Sequence, residues 1–300
     1  MKDFLELYDF GTDELNEMLT LSSDLKKLYK SGKRDLCLAG KTLAMLFEKP
    51  SLRTRMSFEV AMTDLGGNAI YLKGPVGGRE PVKDMARVLS RYTQGIMART
   101  FAHQTILELA EYASVPVINA LSDYSHPCQA MADFLTIQEH LGKLTGLKIA
   151  YVGDGNNVTR SLAFGCAKLG MKLTVASPKG YELDAASIEK AMAIRAGSIE
   201  QFNDVASAVK GADVIYTDTW VSMGQEDEKA TRIKDFEGFQ VNSDVLKYSP
   251  NAKIMHCLPA YRGYEISDEA AESKNSVIFD QAENRLHFQR ALLKKLLSQI

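Results

Sequence analysis

The most constraining feature of this sequence is the alternation of short apolar runs with segments of helical periodicity along almost its whole length. The apolar runs, which we interpret as strands, cover residues 42–47, 69–72, 95–98, 115–119, 148–152, 172–176, 199–202, 213–217, 253–255 and 276–279. Strands that are separated by helices pair in parallel, because each connection must cross back over the sheet. The pattern therefore predicts an α/β fold in which parallel β-sheets are flanked by helices.

The length of 300 residues predicts two domains of about 150 residues each. The pair Thr145-Gly146 interrupts the pattern near the middle, so we expect a first domain over residues 1–137 and a second over 146–280. Residues 3–30 have helical periodicity and predict a covering helical layer. Leucines at helical spacing predict a final helix over 284–300, which we expect to return to the first domain.

Composition limits the classes of partner. The formal net charge is −2, so there is no basic excess for nucleic acid or an anionic membrane surface. No apolar run approaches the roughly 18 residues of a membrane span, and the first residues do not resemble a signal peptide. The four cysteines are widely spaced, which indicates neither a disulfide framework nor a structural zinc site. We expect a protein of the reducing cytoplasm whose partners are small molecules.

The turn after the first apolar run is a candidate anion site. Ser51, Arg53, Thr54 and Arg55 stand where the run ends and a helical pattern begins. A helix N-terminus carries unpaired N–H groups and a positive dipole, and guanidinium groups match phosphate oxygens. The alternative is an ordinary serine cap followed by two solvated arginines.

Three further polar residues fall near the ends of apolar runs in the first half. Arg99 follows the third run, where a parallel sheet presents its carboxyl edge to ligands. His126 precedes Pro127 at a predicted helix start, and Gln129 is three residues further on, so the two side chains can share one face. Together they could hold a carbonyl and an amino group. Structural roles for each remain open at this point.

The second half has three candidate loops. Gly153-Asp154-Gly155 resembles a dinucleotide-binding turn, but Val158 stands where the third glycine is required, so Asn156 and Asn157 could instead bind a carboxylate or an ammonium group. Asp218 begins a loop suited to an amine and a carboxylate. Cys257 is either a buried small apolar residue or a thiol placed in the site. Arg285 could face a ligand or the solvent.

Five motifs in order and at matching spacing resemble the ornithine carbamoyltransferase family, and the resemblance covers nearly the whole chain. The motifs are Ser51-Leu52-Arg53-Thr54-Arg55, His126-Pro127-Cys128-Gln129, Gly153-Asp154-Gly155-Asn156-Asn157, Asp218-Thr219-Trp220-Val221-Ser222-Met223-Gly224 and His256-Cys257-Leu258-Pro259. Each motif alone would be weak.

The resemblance implies a two-domain α/β enzyme that transfers the carbamoyl group of carbamoyl phosphate to the δ-amine of L-ornithine, giving L-citrulline and phosphate. It implies a homotrimer with sites near subunit interfaces, and neither a metal nor an organic cofactor. It leaves open whether arginine is made or degraded. Specificity for ornithine would rest on the loop that begins at Asp218.

The family's site residues transfer by motif match. The expected phosphate ligands are Ser51, Leu52, Arg53 and Thr54. The residues expected to reach the phosphate and the carbonyl, or to complete the carbamoyl phosphate site, are Arg99, His126, Gln129, Cys257, Leu258 and Arg285. The expected ornithine ligands are Asn157, Asp218, Ser222 and Met223. The resemblance implies catalytic roles for Arg99, His126 and Cys257.

One loop departs from the family pattern. Residues 74–80 are rich in glycine and carry Pro75 where the family has glutamine or histidine, so that contact with carbamoyl phosphate is either missing or made by Arg79. Three rival functions remain: a carbamoyltransferase for another amine such as putrescine, a nicotinamide-dependent dehydrogenase using residues 153–158, and a catalytically silent binding subunit.

Overall fold

The computed structural model describes residues 2–221 and 225–298, and the chain divides into two compact units. Unit 1 comprises Met1–Leu135 and Glu283–Ile300, and unit 2 comprises Thr136–Ala282. Each unit contains one parallel sheet with helices around it. The expected α/β fold class is therefore confirmed.

Unit 1 contains a four-stranded sheet in the order β2-β1-β3-β4. The strands are β1 (Thr42–Phe47), β2 (Asn68–Lys73), β3 (Gly95–Arg99) and β4 (Val117–Leu121). The helices that belong to it are α1 (Thr12–Lys30), α2 (Leu52–Asp64), α3 (Val82–Tyr92), α4 (His103–Tyr112) and the first part of α5 (Pro127–Leu141). A short 3-10 turn, Leu7–Asp9, precedes α1. All five residues of β4 are buried, as expected for a strand covered on both faces.

Unit 2 contains a five-stranded sheet in the order β7-β6-β5-β8-β9. The strands are β5 (Lys148–Val152), β6 (Lys172–Ala176), β7 (Ile199–Phe202), β8 (Val214–Thr217) and β9 (Lys253–His256). The helices are α6 (Asn157–Lys168), α7 (Ala185–Ile194), α8 (Val205–Val209), α9 (Lys229–Asp235), α10 (Ser243–Leu246), α11 (Asp268–Ala271) and the start of α12 (Ile278–Leu297). One apolar core of this unit joins residues of β5, β8 and α8.

The last helix, α12, returns to unit 1 as expected. The Lys26 ammonium group donates a hydrogen bond to the Asn284 side chain at 2.8 Å, which ties α12 to α1. Near the other end of α12, a side-chain carbon of Leu297 lies so close to Gly95 that a Cβ there would be 2.8 Å from it. Glycine at the start of β3 thus allows the helix to pack against the strand.

Two expectations about elements were wrong. Residues 276–279 do not form a strand: Ser276 makes only an isolated bridge with Ile254, and α12 begins at Ile278. Three apolar residues in a row fit either a strand or one turn of a helix, so the pattern could not decide between them. At the N-terminus, Phe4 pairs with Ile118 beside β4, and the helix begins only at Thr12.

Within residues 2–221 and 225–298, none of the helices combines the length and apolarity that crossing a bilayer requires.

Candidate active site

The turn between β1 and α2 forms a helix N-terminus with a weakly engaged cap. Ser51 has extended backbone angles, and its hydroxyl oxygen accepts a hydrogen bond from the Thr54 N–H at 3.4 Å, which is long for such a bond. The first turn of α2 contains no acidic residue to neutralise the dipole. The Leu52 side chain is exposed and Arg53 is half-buried. This turn can therefore bind an anion through its backbone N–H groups.

Two guanidinium groups meet at the Thr54 hydroxyl. Arg99 donates to this oxygen at 3.3 Å and Arg285 at 3.4 Å, and Thr54 is almost fully buried. Arg99 is the last residue of β3, where the register with β4 shifts between Ala98 and Arg99. Such a shift changes the direction of the side chain that follows it. Two cations placed around one buried hydroxyl favour a bound anion beside them.

The Arg285 side chain also fixes Gln129. It donates to the Gln129 amide oxygen at 2.5 Å, and the Gln129 amide nitrogen donates to Asp133 at 2.8 Å. Asp133, Gln129 and Arg285 are all buried. The sequence left the orientation of Arg285 undecided, and the structure places it in this cluster of unit 1.

His126 lies directly before α5 and is buried. Burial lowers its pKa well below the usual range, and the positive charges of Arg285, Arg99 and Arg53 lower it further. The imidazole is therefore neutral at pH 7 and offers one N–H donor. A neutral donor beside three cations can hydrogen-bond to a carbonyl oxygen without adding another positive charge.

Sequence reasoning missed Glu48, which stands just after β1. One carboxylate oxygen accepts from the Val76 N–H at 3.1 Å, and the other accepts from the Phe101 N–H at 2.7 Å. Glu48 thereby ties the 74–80 loop and the loop after β3 to the anion turn. Within the 74–80 loop, Pro75 and Arg79 are exposed.

In unit 2, Asp218 follows β8 and is largely buried. One of its carboxylate oxygens accepts from the Thr219 N–H at 2.7 Å and from the Cys257 thiol at 2.8 Å. The other accepts from the Asn156 amide at 3.1 Å. The structure thus brings together three of the candidate loops of this unit around one carboxylate.

Asn156 is the cap of α6, since its side-chain oxygen accepts from the Val158 and Thr159 N–H groups at 2.9 and 3.2 Å. Asn157, the predicted ligand, is the first residue of that helix. A Cβ at Gly155 would lie 2.2 Å from the Leu183 backbone nitrogen, so residues 182–183 fill the space above this glycine. A dinucleotide pyrophosphate needs that space, which disfavours the dehydrogenase hypothesis.

Cys257 and Leu258 follow β9, the neighbour of β8 in the sheet. Leu258 has a φ angle of +57°, in the left-handed region, and the Leu258–Pro259 peptide is cis. Cys257 is half-buried and its sulfur contacts Asp218, another candidate site residue, so its side chain does not lie in the apolar core.

Arg232 of α9, which the sequence did not single out, holds the start of the loop after Asp218. Its guanidinium group donates to Asp154 at 2.7 Å and to the Trp220 carbonyl oxygen at 3.1 Å. A third partner, Glu228, is only four residues away, but the two contacts that reach the site are 78 and 12 residues away in sequence, and no local pattern could have identified them. Ser222 and Met223, two predicted ornithine ligands on this loop, lie outside the described residues.

Asp218, His256 and Cys257 bring potential metal-ligand atoms within 4.8 Å of one another. Both imidazole nitrogens of His256 are already engaged, one with the Leu258 N–H and one with Glu265. A metal ion would have to displace one of these partners. The set therefore fits a hydrogen-bonded site for an amine better than a metal site.

Family models match both halves of the chain. Residues 2–139 match the carbamoyl-P binding domain, and residues 145–296 match the Asp/Orn binding domain, of aspartate/ornithine carbamoyltransferase. The chain belongs to the aspartate/ornithine carbamoyltransferase family. The expected family relationship is thus confirmed.

Relatives within this carbamoyltransferase family match over the full length. The chain is 52% identical over 302 residues to ornithine carbamoyltransferase of Methanocorpusculum labreanum, covering 99% of both chains. It is 52% identical to the anabolic ornithine carbamoyltransferase of Pyrococcus furiosus, covering 97% of this chain and 95% of that protein. The solved structure of ornithine carbamoyltransferase from Pyrococcus furiosus has a TM-score of 0.97 at 51% identity, covering 100% of this chain and 98% of that chain.

Proposed function

We propose that this chain is an ornithine carbamoyltransferase, which transfers the carbamoyl group of carbamoyl phosphate to the δ-amine of L-ornithine and releases L-citrulline and phosphate. The observation that carries the proposal is the convergence of Arg99 and Arg285 on the Thr54 hydroxyl beside the N-terminus of α2. Full-length relatives of that name support the choice of reaction. We assign carbamoyl phosphate to residues 1–137 with 284–300, and ornithine to residues 146–280.

In the proposed donor site, Ser51, Leu52, Arg53 and Thr54 bind the phosphate group at the start of α2. Arg99 and neutral His126 donate hydrogen bonds to the carbamoyl oxygen as it gains negative charge. Preorganised donors of this kind are worth about 3 kcal/mol each in transition-state stabilisation. Gln129 is held by Arg285 and Asp133, and its amide oxygen, which has a second lone pair, accepts a hydrogen bond from the carbamoyl amino group. Arg53 and the helix dipole stabilise the departing phosphate.

In the proposed acceptor site, Asp218 and Cys257 orient the δ-amine of ornithine, with Leu258 beside them, while Asn157, Ser222 and Met223 bind the rest of the amino acid. The δ-amine has a reference pKa of about 10.4, taking lysine as its model, so it must release a proton to water before it attacks the carbamoyl carbon. As the C–N bond forms and the C–O bond to phosphate breaks, the amine loses a second proton, which the departing phosphate takes up. Burial of the amine favours its neutral form. Cys257 acts as an orienting group, because the amine can attack directly and no covalent enzyme intermediate is needed.

We further propose that copies of the chain associate, as a trimer. Leu52 and Met56 on α2 are 74% and 50% exposed, and Ile70 and Leu72 on the edge strand β2 are 45% and 40% exposed. Apolar side chains along a helix and an unpaired sheet edge favour burial against another chain. A formal net charge of −2 gives little electrostatic repulsion between copies. We propose a cytoplasmic location and a biosynthetic direction, the latter supported by the anabolic relative.

The decisive experiment is citrulline formation from carbamoyl phosphate with the acceptor varied. We expect turnover with L-ornithine and far less with putrescine, L-lysine or L-aspartate, because Asp218 and the loop that follows it select a short diamino acid. Equal or greater turnover with putrescine would identify putrescine, and not ornithine, as the acceptor. The absence of turnover with every acceptor, despite binding of phosphate, would favour the silent binding subunit. A thermal shift with NAD would revive the dehydrogenase hypothesis.

A further inference from the structure

A fully buried polar pair lies behind the Cys257-Leu258 turn in unit 2. His256 is the last residue of β9, and its Nε2 lies 3.0 Å from a carboxylate oxygen of Glu265. His256 is 0% and Glu265 is 1% exposed. The same carboxylate oxygen accepts from the Tyr261 N–H at 2.6 Å. A buried carboxylate is costly unless hydrogen bonds satisfy it, so this pair is a specific arrangement rather than an accident of packing.

The hydrogen bonds of His256 assign one tautomer. Its Nδ1 lies 2.9 Å from the Leu258 backbone nitrogen, and a backbone N–H can only donate, so Nδ1 must accept. The imidazole proton is therefore on Nε2, where it is donated to Glu265. A proton on Nδ1 would set two donors against each other at the Leu258 N–H. By accepting the hydrogen bond from the proton on Nε2, Glu265 keeps Nδ1 unprotonated, so that Nδ1 can accept the hydrogen bond from the Leu258 N–H.

The turn that this lone pair binds has an unfavourable backbone conformation. Leu258 has a φ of +57°. At this angle the Cβ of any residue other than glycine lies too close to the backbone carbonyl oxygen. Such a residue persists only where its surroundings hold it, and the His256 bond to its N–H is one such restraint. Cys257 lies between His256 and Leu258 in sequence, and its thiol donates to Asp218 at 2.8 Å.

The backbone of His256 is anchored separately from its ring. The His256 N–H donates to the Gln281 side-chain oxygen at 2.9 Å, and the Gln281 amide nitrogen donates to the Tyr216 hydroxyl at 3.1 Å. The end of β9 therefore has its own support. Loss of the imidazole should release the Cys257-Leu258 turn without detaching the strand.

We infer that His256 and Glu265 are positioning residues that hold Leu258 in its left-handed conformation and thereby direct the Cys257 thiol to Asp218. The inference adds two residues to the acceptor site and rests on the proposed function for its catalytic consequence. Its structural consequence, the restrained thiol, can be measured without any turnover.

The test compares His256→Leu, His256→Asn and Glu265→Gln in a Cys37→Ser background, because Cys37 is the other half-buried thiol while Cys128 and Cys166 are buried. Leucine removes the acceptor for the Leu258 N–H. Asparagine restores one, since its side-chain oxygen can accept from the N–H two residues further on. Glutamine at 265 keeps an oxygen for both of its donors. The readouts are the alkylation rate of Cys257, the KM for ornithine, kcat and the melting temperature.

For His256→Leu we expect Cys257 to alkylate about tenfold faster, because the thiol is released from the Asp218 carboxylate. We also expect a raised KM for ornithine and a kcat lower by about 100-fold, the usual cost of a misplacement of about 1 Å. His256→Asn should recover most of the alkylation rate and of kcat. Glu265→Gln should lie between the parent protein and His256→Leu in all three readouts, because a neutral amide oxygen holds the His256 Nε2–H less strongly than a carboxylate does.

A folded His256→Leu variant with parental alkylation, KM and kcat would overturn the inference, as would an Asn variant no better than Leu. If His256→Leu fails to fold, the Asn and Gln variants still decide: equal loss of kcat in both, with an unchanged alkylation rate, contradicts positioning. A changed alkylation rate in a protein whose parent makes no citrulline would preserve the inference and reject the proposed function.

Discussion

At the scale of single residues, Arg99 shares the buried Thr54 hydroxyl with Arg285. It ends β3 beside the buried Thr54 hydroxyl. We expect Arg99→Ala to lower citrulline formation by about 100-fold, because one preorganised donor to the developing oxyanion is lost. The measurement is kcat with both substrates saturating, together with a melting curve.

Arg87→Ala is the matched control for Arg99→Ala. Arg87 is an exposed arginine of unit 1 whose guanidinium group pairs with Asp84 and lies over the Tyr112 ring. It should retain the parental kcat. Near-normal turnover of Arg99→Ala, or an equal loss in both variants, would remove Arg99 from the chemistry.

His126 predicts a dependence of stability on pH. Its pKa in the folded protein is lowered by burial and by three neighbouring arginines, whereas in the unfolded chain its pKa is about 6.5. Below that pH the unfolded state binds a proton that the folded state does not, so the free energy of unfolding falls as the pH falls. The contribution of His126 is complete above about pH 6.5 and is lost towards the lower folded pKa, at no more than about 1.4 kcal/mol per pH unit.

The measurement for His126 is urea unfolding between pH 7.5 and 5 for the parent protein and for His126→Gln. Glutamine retains a donor but does not titrate, and the other histidines are common to both proteins. The parent should lose stability more steeply below about pH 6.5. If the free energy of unfolding falls equally with pH in both proteins, the pKa of His126 is not lowered by folding and the prediction is wrong.

At the scale of elements, the cap of α2 is weak where a cap is normally strong. The Ser51 hydroxyl accepts from Thr54 at 3.4 Å, whereas the Asp204 carboxylate that caps α8 accepts from Ser207 at 2.7 Å. We expect Ser51→Ala to cost less than the usual value of about 1 kcal/mol in unfolding free energy but to weaken inorganic phosphate binding. Asp204→Ala should do the reverse, with lower stability and unchanged phosphate affinity. Calorimetric titration and urea unfolding of both variants distinguish the two roles.

The sequence predicted elements better than it predicted contacts between them. The prediction of a strand, a turn and a helix around Ser51 was correct. It depended only on local features, namely the helix cap, the helix dipole and the apolar face of the helix, which lie close together in sequence. The reading of 276–279 as a strand was wrong because three apolar residues have no period. Arg285 meets Thr54 across 231 positions of sequence, and only the fold determines such a pairing. Glu48 and Glu265 were missed for the same reason, since each binds backbone groups that no motif records.

At the scale of the whole molecule, the proposed association gives a direct prediction. Leu72 on the edge strand β2 is 40% exposed, so Leu72→Lys places a charge on the proposed contact surface. We expect the mass in solution, measured by light scattering after gel filtration, to fall from that of a trimer to that of a monomer. Tyr248→Lys is the control, because Tyr248 is an exposed aromatic residue of unit 2. A parent protein that is monomeric at every concentration would contradict the proposed assembly.

Unit 1 is interrupted in sequence by the whole of unit 2, and Arg285 comes from the segment that completes it. During synthesis on the ribosome, the first 135 residues emerge long before the arginine that joins Thr54 and Gln129. The nascent chain can therefore acquire the complete donor cluster only near the end of translation. A messenger truncated after codon 282 would yield a product with the anion turn but without this partner, and such a product should bind phosphate poorly.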